Sequence, residues 1–255
     1  MNGQWSYNSN NTGVQASTCT ASGSYSTAMG DGTTASGDYS TSMGRSTAAS
    51  ALYSTAMGRS TAASALYSTA MGYGTDASGY FSTAMGSSTT ASALYSTAMG
   101  DGTIASGSRS TAMGSYTTAS DYASLSIGRY NSVNSTVTAG GSATSFDTDN
   151  AALVIGNGTG SSTKSDAFVV YFNGNATLSG DLTINSDERL KDNIQPLGST
   201  LNKLHQIEGK TYSFKKDEEH TPKIGVLAQE VQAVFPELVT EGGDGILSVN
   251  YQGLV

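Results

Sequence analysis

The chain has 255 residues, a formal net charge of −8, and only 13% charged residues. So low a charged fraction is unusual for an enzyme of this size, and an acidic chain without a basic cluster is unsuited to binding nucleic acid or an anionic membrane. The charge is also uneven, because no lysine precedes Lys164. The sequence therefore indicates a nearly uncharged first part and a charged, globular C-terminal part.

A tandem repeat with a period of 14 residues fills the first half of the chain. Each repeat carries a glycine, with methionine or isoleucine before it, serine four residues before it, and alanine (finally Val133) five residues after it. The glycines are Gly30, Gly44, Gly58, Gly72, Gly86, Gly100, Gly114 and Gly128. A fixed period indicates one structural unit per repeat, stacked on its neighbours.

Alternation within the repeat predicts short strands rather than helices, because no 3.6-residue apolar stripe is present. Ser26, Ala28 and Gly30 are expected to line a thin interior, while Thr27 and Met29 face outwards. The glycine would end each strand in a tight turn with positive φ. We therefore predict a parallel β-solenoid over residues 23–134.

The methionines Met29 to Met113 form an apolar column, and tyrosines or phenylalanine lie near it in six repeats. Serine and alanine already supply the small interior side chains, so an outward methionine stripe would be an exposed apolar patch. Such patches mark interfaces, and we expect this one to be a subunit contact. The alternative is that the methionines fill the interior of each coil.

The run from Ser54 to Gly58 (Ser-Thr-Ala-Met-Gly), followed by Ser60 to Ser64 (Ser-Thr-Ala-Ala-Ser), resembles the head repeats of trimeric autotransporter adhesins. Similar repeats occur in phage and viral fibres. The resemblance implies a homotrimer of left-handed parallel β-rolls, with methionine where that family usually has isoleucine.

The segments that flank the repeat have their own patterns. Residues 1–22, with Trp5 and Cys19, are interpreted as a cap or linker, in which Cys19 is a small core residue or, alternatively, an interchain link. Residues 135–185 are interpreted as a β connector, because the apolar runs 152–155 and 167–172 are each followed by Asn-Gly. No secretory signal follows Met1, no apolar run could span a membrane, and no Cys/His cluster suggests a metal or another cofactor.

The character of the chain changes again at residues 186–255, which begin with Ser186-Asp-Glu-Arg-Leu-Lys191. One interpretation is that Ser186 caps a helix and that Lys191 is simply solvated. The other is that Lys191 folds back towards Ser186 and serves as a general base. That role requires a neutral amine, favoured by burial or by positive neighbours such as Arg189.

Three motifs in one order resemble the S74 peptidase family, an intramolecular chaperone domain of endosialidases and phage tail fibres. They are Ser-Asp-x-Arg-x-Lys from Ser186, the run from Ile224 to Val239, and Val249-Asn-Tyr251. The resemblance implies that Ser186 is the nucleophile, that Lys191 is its base, and that the Asn185–Ser186 bond is cleaved. It also implies a domain that trimerises and guides folding of the fibre upstream. The family usually continues into a long helix, so we expect this chain, which stops at Val255, to be a fragment with impaired cleavage.

Within residues 186–255 the pattern predicts a helix at 200–207, a strand through Tyr212 and Phe214, and a strand at 224–227. It also predicts a helix that ends before Pro236 and a strand at 246–251.

Three functions fit these observations. The first is a host-attachment fibre of a phage or virus, a homotrimer in the virion that binds a surface receptor or glycan and cleaves itself once. The second is a bacterial trimeric surface adhesin or another extracellular filament. The third is an ice-binding solenoid, suggested by the threonine column that includes Thr27 and Thr41.

Overall fold

The computed structural model describes residues 6–7, 14–16, 18–198, 200–215 and 219–254. The chain divides into two compact units, Met1–Thr183 and Ile184–Val255. Trp5, assigned to the N-terminal cap by its sequence, lies outside the described residues.

The first unit is a β-solenoid in which each coil has one long and one short strand. The long strands are Thr27–Asp31, Thr41–Arg45, Thr55–Arg59, Thr69–Tyr73, Thr83–Ser87, Thr97–Asp101, Thr111–Ser115 and Leu125–Arg129. The short strands are Thr20–Ala21, Thr34–Ala35, Ala48–Ala49, Ala62–Ala63, Asp76–Ala77, Thr90–Ala91, Ile104–Ala105 and Thr118–Ala119.

Both sets of strands pair in parallel and in register, one repeat on the next. Met71, for example, lies opposite Met57 on one side and Met85 on the other. The long strands belong to a 13-stranded sheet and the short strands to an 8-stranded sheet. The mainly β architecture, with a solenoid of about eight turns, confirms the sequence prediction.

Small side chains fill the interior. The inward-facing alanines of the long and short strands, such as Ala28 and Ala35, are fully buried. The buried serines support the turns before the long strands: Ser54 Oγ donates to the carbonyl oxygen of Ala51 at 2.6 Å. A further interior column, which was not predicted from the sequence, consists of threonines three residues after seven of the eight glycines. These are Thr33, Thr47, Thr61, Thr75, Thr89, Thr103 and Thr117.

The glycine column corrects one detail of the prediction. Gly30 is exposed and lies within the strand Thr27–Asp31, not in the interior and not in the turn. The positive φ is confirmed, since Gly30 has φ +124°. Glycine is also required because successive glycines stack closely: a Cβ on Gly72 would lie 2.0 Å from the carbonyl oxygen of Gly86.

The methionine column lies on the outer face of the long strands. The side chains from Met29 to Met99 are half-buried and Met113 is 39% exposed, whereas the core of the coils consists of alanines. The methionines therefore do not fill the interior, which excludes the alternative considered above.

An aromatic ladder runs along the turn before the long strands. Its rings, Tyr25, Tyr39, Tyr53, Tyr67, Phe81 and Tyr95, stack with centroids 4.8–5.1 Å apart. All six residues have φ of 54–58°, a conformation that costs about 1–2 kcal/mol each. Stacking, worth about 0.5–1.5 kcal/mol per pair, offsets part of this cost.

The short-strand sheet ends in side chains that take the place of the next strand. Asn131 accepts a hydrogen bond from the backbone nitrogen of Thr118 and donates one to its carbonyl oxygen, both at 2.8 Å. Asn134 Oδ1 accepts from the backbone nitrogens of Ser120 and Asp121 at 2.7 and 2.6 Å. Both asparagines are buried.

The long-strand sheet, by contrast, continues into the connector. Ala151–Asn157 pairs in parallel with Leu125–Arg129, and Gly156 lies opposite Gly128. Asp166–Tyr171 and Ala176–Leu178 then add antiparallel strands. The first connector strand is thus a further rung of the solenoid and not the start of a separate β structure.

The carboxylate of Asp121 holds the loop of residues 135–150 in place. The side chain of Asp121 is fully buried. One carboxylate oxygen accepts from the backbone nitrogen of Thr138 at 2.8 Å, and the other accepts from the Thr138 hydroxyl at 2.6 Å and the Ala151 nitrogen at 2.7 Å. Asp121 therefore fixes both ends of the loop between the last coil and the next rung.

At the N-terminal end, Ser6–Tyr7 and Val14–Gln15 form an antiparallel pair that extends the long-strand sheet beyond Thr27–Asp31. Cys19 is buried and packs with Ala21, Ala28 and Ala35, as predicted for a small core residue.

The second unit is small and α+β. Its helices are Thr200–Leu204 and Ala228–Val234, and its single-turn 3-10 helices are Glu188–Leu190, Pro236–Leu238 and Tyr251–Leu254. Lys210–Tyr212 pairs with Lys223–Gly225, and Val239–Glu241 with Leu247–Val249, both antiparallel. The helix before Pro236 is confirmed, whereas the first helix is shorter than predicted and Phe214 lies just outside its strand.

Apolar side chains of this second unit are mostly exposed. Val231 and Phe235 are the buried ones among its described residues. The exposed set includes Leu190, Ile194, Leu197, Leu201, Phe214, Ile224, Leu227, Ile246 and Tyr251. Two buried apolar side chains form only a small core, so much apolar surface is left in contact with water.

Candidate functional site

The candidate site is a single turn of chain that brings Ser186 and Lys191 together. The turn is the 3-10 helix Glu188–Leu190, closed by a hydrogen bond from the backbone nitrogen of Lys191 to the carbonyl oxygen of Glu188 at 3.0 Å. Across it, Nζ of Lys191 donates to Oγ of Ser186 at 2.7 Å. The structure therefore brings the two predicted catalytic side chains into direct contact.

Asp187, rather than Ser186, caps this turn, which corrects the capping interpretation. Asp187 has extended backbone, with φ −62° and ψ 133°, and its carboxylate accepts from the backbone nitrogen of Arg189 at 2.9 Å. This is the geometry by which a short acceptor side chain satisfies a free N–H at a helix start. The hydroxyl of Ser186 is thus left for Lys191.

Arg189 turns back onto the same carboxylate. Its Nε donates to Asp187 Oδ1 at 3.0 Å and its Nη2 donates to Oδ2 at 2.7 Å. These hydrogen bonds lower the pKa of Asp187 below its usual value and raise the pKa of Arg189. The expected role of Arg189, a positive charge acting on Lys191, is not what the contacts show, because its guanidinium is bonded to Asp187.

The surroundings of the site are open. Residues 174–198 are all exposed, including Asn185, Ser186 and Lys191. The Asn185–Ser186 bond lies in chain without helix or strand, so the peptide group is free of the pairing that would resist attack. Two apolar grooves among the described residues of this unit, with volumes of about 470 and 420 Å³, are lined by other residues, such as Tyr212, Leu227 and Phe235.

The described residues contain no group of three or more His, Cys, Asp or Glu side chains placed to hold a metal ion. In the same part of the chain, no helix is both long enough and apolar enough to cross a membrane.

Comparison with known families gives two matches. Residues 21–47, 49–75, 77–103 and 105–131 match the YadA head domain repeat (2 copies). Residues 186–240 match the family described as chaperone of endosialidase, the S74 peptidase family. Both resemblances inferred from the sequence are confirmed. The head-repeat match ends at Asn131, where the short-strand sheet ends, and the chaperone match begins at Ser186.

Two curated relatives are long tail fibre proteins named Gp37. The protein of Escherichia phage AR1 is 39% identical over 88 residues, which cover 31% of this chain and 8% of the relative. The protein of Salmonella phage S16 is 34% identical over 90 residues, which cover 32% of this chain and 12% of the relative. The chain therefore spans only about a tenth of the length of these relatives.

Proposed function

We propose that the chain is part of a host-attachment fibre of a phage virion, whose C-terminal region drives trimerisation and then cuts itself off between Asn185 and Ser186. The contact of 2.7 Å between Lys191 Nζ and Ser186 Oγ carries the proposal. The likeness to phage tail fibre proteins and the match of residues 186–240 to chaperone of endosialidase support it. The match to the YadA head repeat supports a surface adhesin as the second candidate.

The proposed reaction uses the hydroxyl of Ser186 as nucleophile. Oγ attacks the carbonyl carbon of Asn185 while the amine of Lys191 takes the hydroxyl proton, and the C–N bond breaks as the nitrogen of Ser186 accepts a proton. Water then hydrolyses the resulting ester, leaving a carboxylate on Asn185 and a free amine on Ser186. Only a hydroxyl and a nearby base are needed, and no cofactor takes part.

Cleavage is tested on the full-length natural chain. The wild type is expected to yield a fragment whose N-terminal residue is Ser186, whereas Ser186→Ala lacks the nucleophile and Lys191→Ala lacks the base, so both stay intact. Gel mobility and N-terminal sequencing measure this. Lys223→Ala, which removes an exposed lysine of the same unit, is the matched control and should cleave normally. An uncut wild type, or a Ser186→Ala protein that still cleaves, would refute the peptidase assignment.

The trimer is proposed to form on the methionine column, with Met29 to Met113 near the shared axis. The methionines lie outside the alanine core, so their side chains leave an apolar stripe for another copy of the chain. The register of near-identical coils, such as 52–57 and 66–71, is prone to slip. A detachable trimerising region would set that register, and its loss would leave a kinetically stable fibre.

We expect Met57→Asp together with Met71→Asp to convert the trimer to monomers, because three carboxylates per layer would be desolvated at a cost of several kcal/mol. The control is Ala62→Asp, since the next coil already carries an acid, Asp76, at the equivalent position. Analytical ultracentrifugation gives the mass of each variant. A wild type of one chain, or a trimeric methionine variant, would contradict the assignment of this face.

A further inference from the structure

The turn that presents Lys191 to Ser186 has no packing to hold its shape. None of the residues in the 3-10 helix Glu188–Leu190 is buried, and the chain on both sides is exposed. Its conformation therefore depends on local hydrogen bonds. Two are backbone bonds, from the nitrogens of Leu190 and Lys191 to the carbonyl oxygens of Asp187 and Glu188, at 3.1 and 3.0 Å.

Apart from the bond between Lys191 and Ser186 itself, the remaining bonds of the turn all end on one carboxylate. Asp187 accepts from the backbone nitrogen of Arg189 and from two nitrogens of its guanidinium, at 2.7–3.0 Å. The side chain of Arg189 is thereby folded back across the start of the turn. The paired side chains of Asp187 and Arg189 are called the clasp. Because charged partners make these bonds stronger than neutral ones, the clasp is the main side-chain restraint on the segment between Ser186 and Lys191.

We propose that Asp187 and Arg189 are positioning residues for self-cleavage, which act by holding the turn that brings the amine of Lys191 to the hydroxyl of Ser186. This inference rests on the proposed function and adds to it a role for two residues that touch neither the scissile bond nor the proton in transfer. A Ser and a Lys five positions apart do not share a face of a regular α-helix. The single capped turn solves this by ending before Lys191, whose backbone is extended, with φ −117° and ψ 148°.

The clasp can be removed in steps. Asp187→Ala removes the cap and the ion pair together, Asp187→Asn keeps an oxygen for the backbone nitrogen of Arg189 but removes the charge, and Arg189→Ala removes only the guanidinium. Glu188→Gln is the matched control: it neutralises an exposed acid in the same turn, and no hydrogen bond or ion pair of its side chain is found among the described residues.

The experiment measures the first-order cleavage rate of the full-length chain and of each variant, with native mass and circular dichroism recorded on the uncut protein. Misplacing a reacting group by about 1 Å can cost roughly 100-fold in rate, so Asp187→Ala is expected to slow cleavage by roughly 10- to 100-fold. Asp187→Asn should fall between Asp187→Ala and the wild type, and Glu188→Gln should match the wild type. Mass and circular dichroism should not change.

A double-mutant cycle separates positioning from a general weakening of the domain. If the two side chains act through one clasp, Asp187→Ala with Arg189→Ala should be no slower than Asp187→Ala alone. Three results would overturn the inference while leaving the peptidase assignment intact. They are wild-type cleavage rates in both single variants, rate losses that multiply in the double variant, and loss of the native mass in Asp187→Ala. Absence of cleavage in the wild type would instead overturn both.

Discussion

Gly72→Ala is expected to destabilise the solenoid by more than about 4 kcal/mol, which is a large effect for one substitution. Gly72 has φ +121°, a backbone conformation that residues with a Cβ rarely adopt, and the new methyl carbon would lie 2.0 Å from the carbonyl oxygen of Gly86. That oxygen belongs to the backbone of the next long strand. The two strands would have to separate, and parallel pairing would be broken at the centre of the stack.

Gly74→Ala provides the matched control two residues away. Gly74 also has positive φ, at +61°, but the nearest atom to an added Cβ is 3.8 Å away. Serines already occupy this column at Ser46, Ser60 and Ser88, with φ of 52–55°, so a cost of about 1–2 kcal/mol is expected. Thermal and denaturant unfolding followed by circular dichroism compare the two variants. Equal stability of Gly72→Ala and Gly74→Ala would show that the close stacking of glycines does not require glycine at position 72.

The second large effect is expected at Asp121. Asp121→Ala removes the acceptor for the backbone nitrogens of Thr138 and Ala151 and for the Thr138 hydroxyl. Ala151 is fully buried, so its N–H cannot turn to water instead. Hydrogen bonds to a charged group contribute about 1.5–3 kcal/mol each, and we expect a loss of roughly 3 kcal/mol or more.

Hydrogen exchange locates the effect of Asp121→Ala. Amide protons of the rung 151–157 and of the loop 135–150 should exchange faster, while those of the coils before residue 100 should keep their protection, because stability is local in stacked repeats. Asp101→Ala, which removes an exposed acid earlier in the solenoid, should change neither stability nor exchange near residue 151. Unchanged exchange in the rung of the Asp121 variant would show that the carboxylate of Asp121 does not hold the loop and the rung in place.

Periodicity predicted the coils because each repeat has the same packing environment in its layer of the solenoid. A column such as Ala56, Ala70 and Ala84 is buried in each layer by the same neighbours, so one motif predicts them all. The positions of the repeated glycines were identified from the sequence, but their location in the coil was predicted wrongly. Strict alternation of side chains assigns them to the interior, whereas they are exposed in the structure. Their place in the strand depends on a carbonyl of the next coil, which no single repeat reveals.

The further rung at Ala151–Asn157 was missed because the pattern is interrupted. Gly156 lies two periods of 14 residues after Gly128, and Ile155 precedes it as Ile127 precedes Gly128. That spacing was the signal, and the apolar Leu153 and Val154 obscured it by suggesting an ordinary buried strand. The roles of Asn131 and Asn134 depend on contacts between distant residues and could not be predicted from local pattern.

The candidate site was predicted in part. The residue types and order from Ser186 to Lys191 indicated the pair, and the structure places the two side chains in contact. The cap was assigned to Ser186 instead of Asp187, since both are good capping residues and the choice depends on where the turn begins. The bond between Arg189 and Asp187 decides that point, and it is visible only once the side chains are placed.

The asparagines at the end of the short-strand sheet also protect the open edge of that sheet. The terminal coil of a regular solenoid presents unpaired backbone N–H and C=O groups that every interior coil pairs with its neighbour, so a strand of a second molecule could add there, as strands do in amyloid fibrils. Asn131 and Asn134 occupy those edge groups with their own amides. Side chains of the same chain therefore cover this edge of the short-strand sheet, where a strand of a second molecule could otherwise pair.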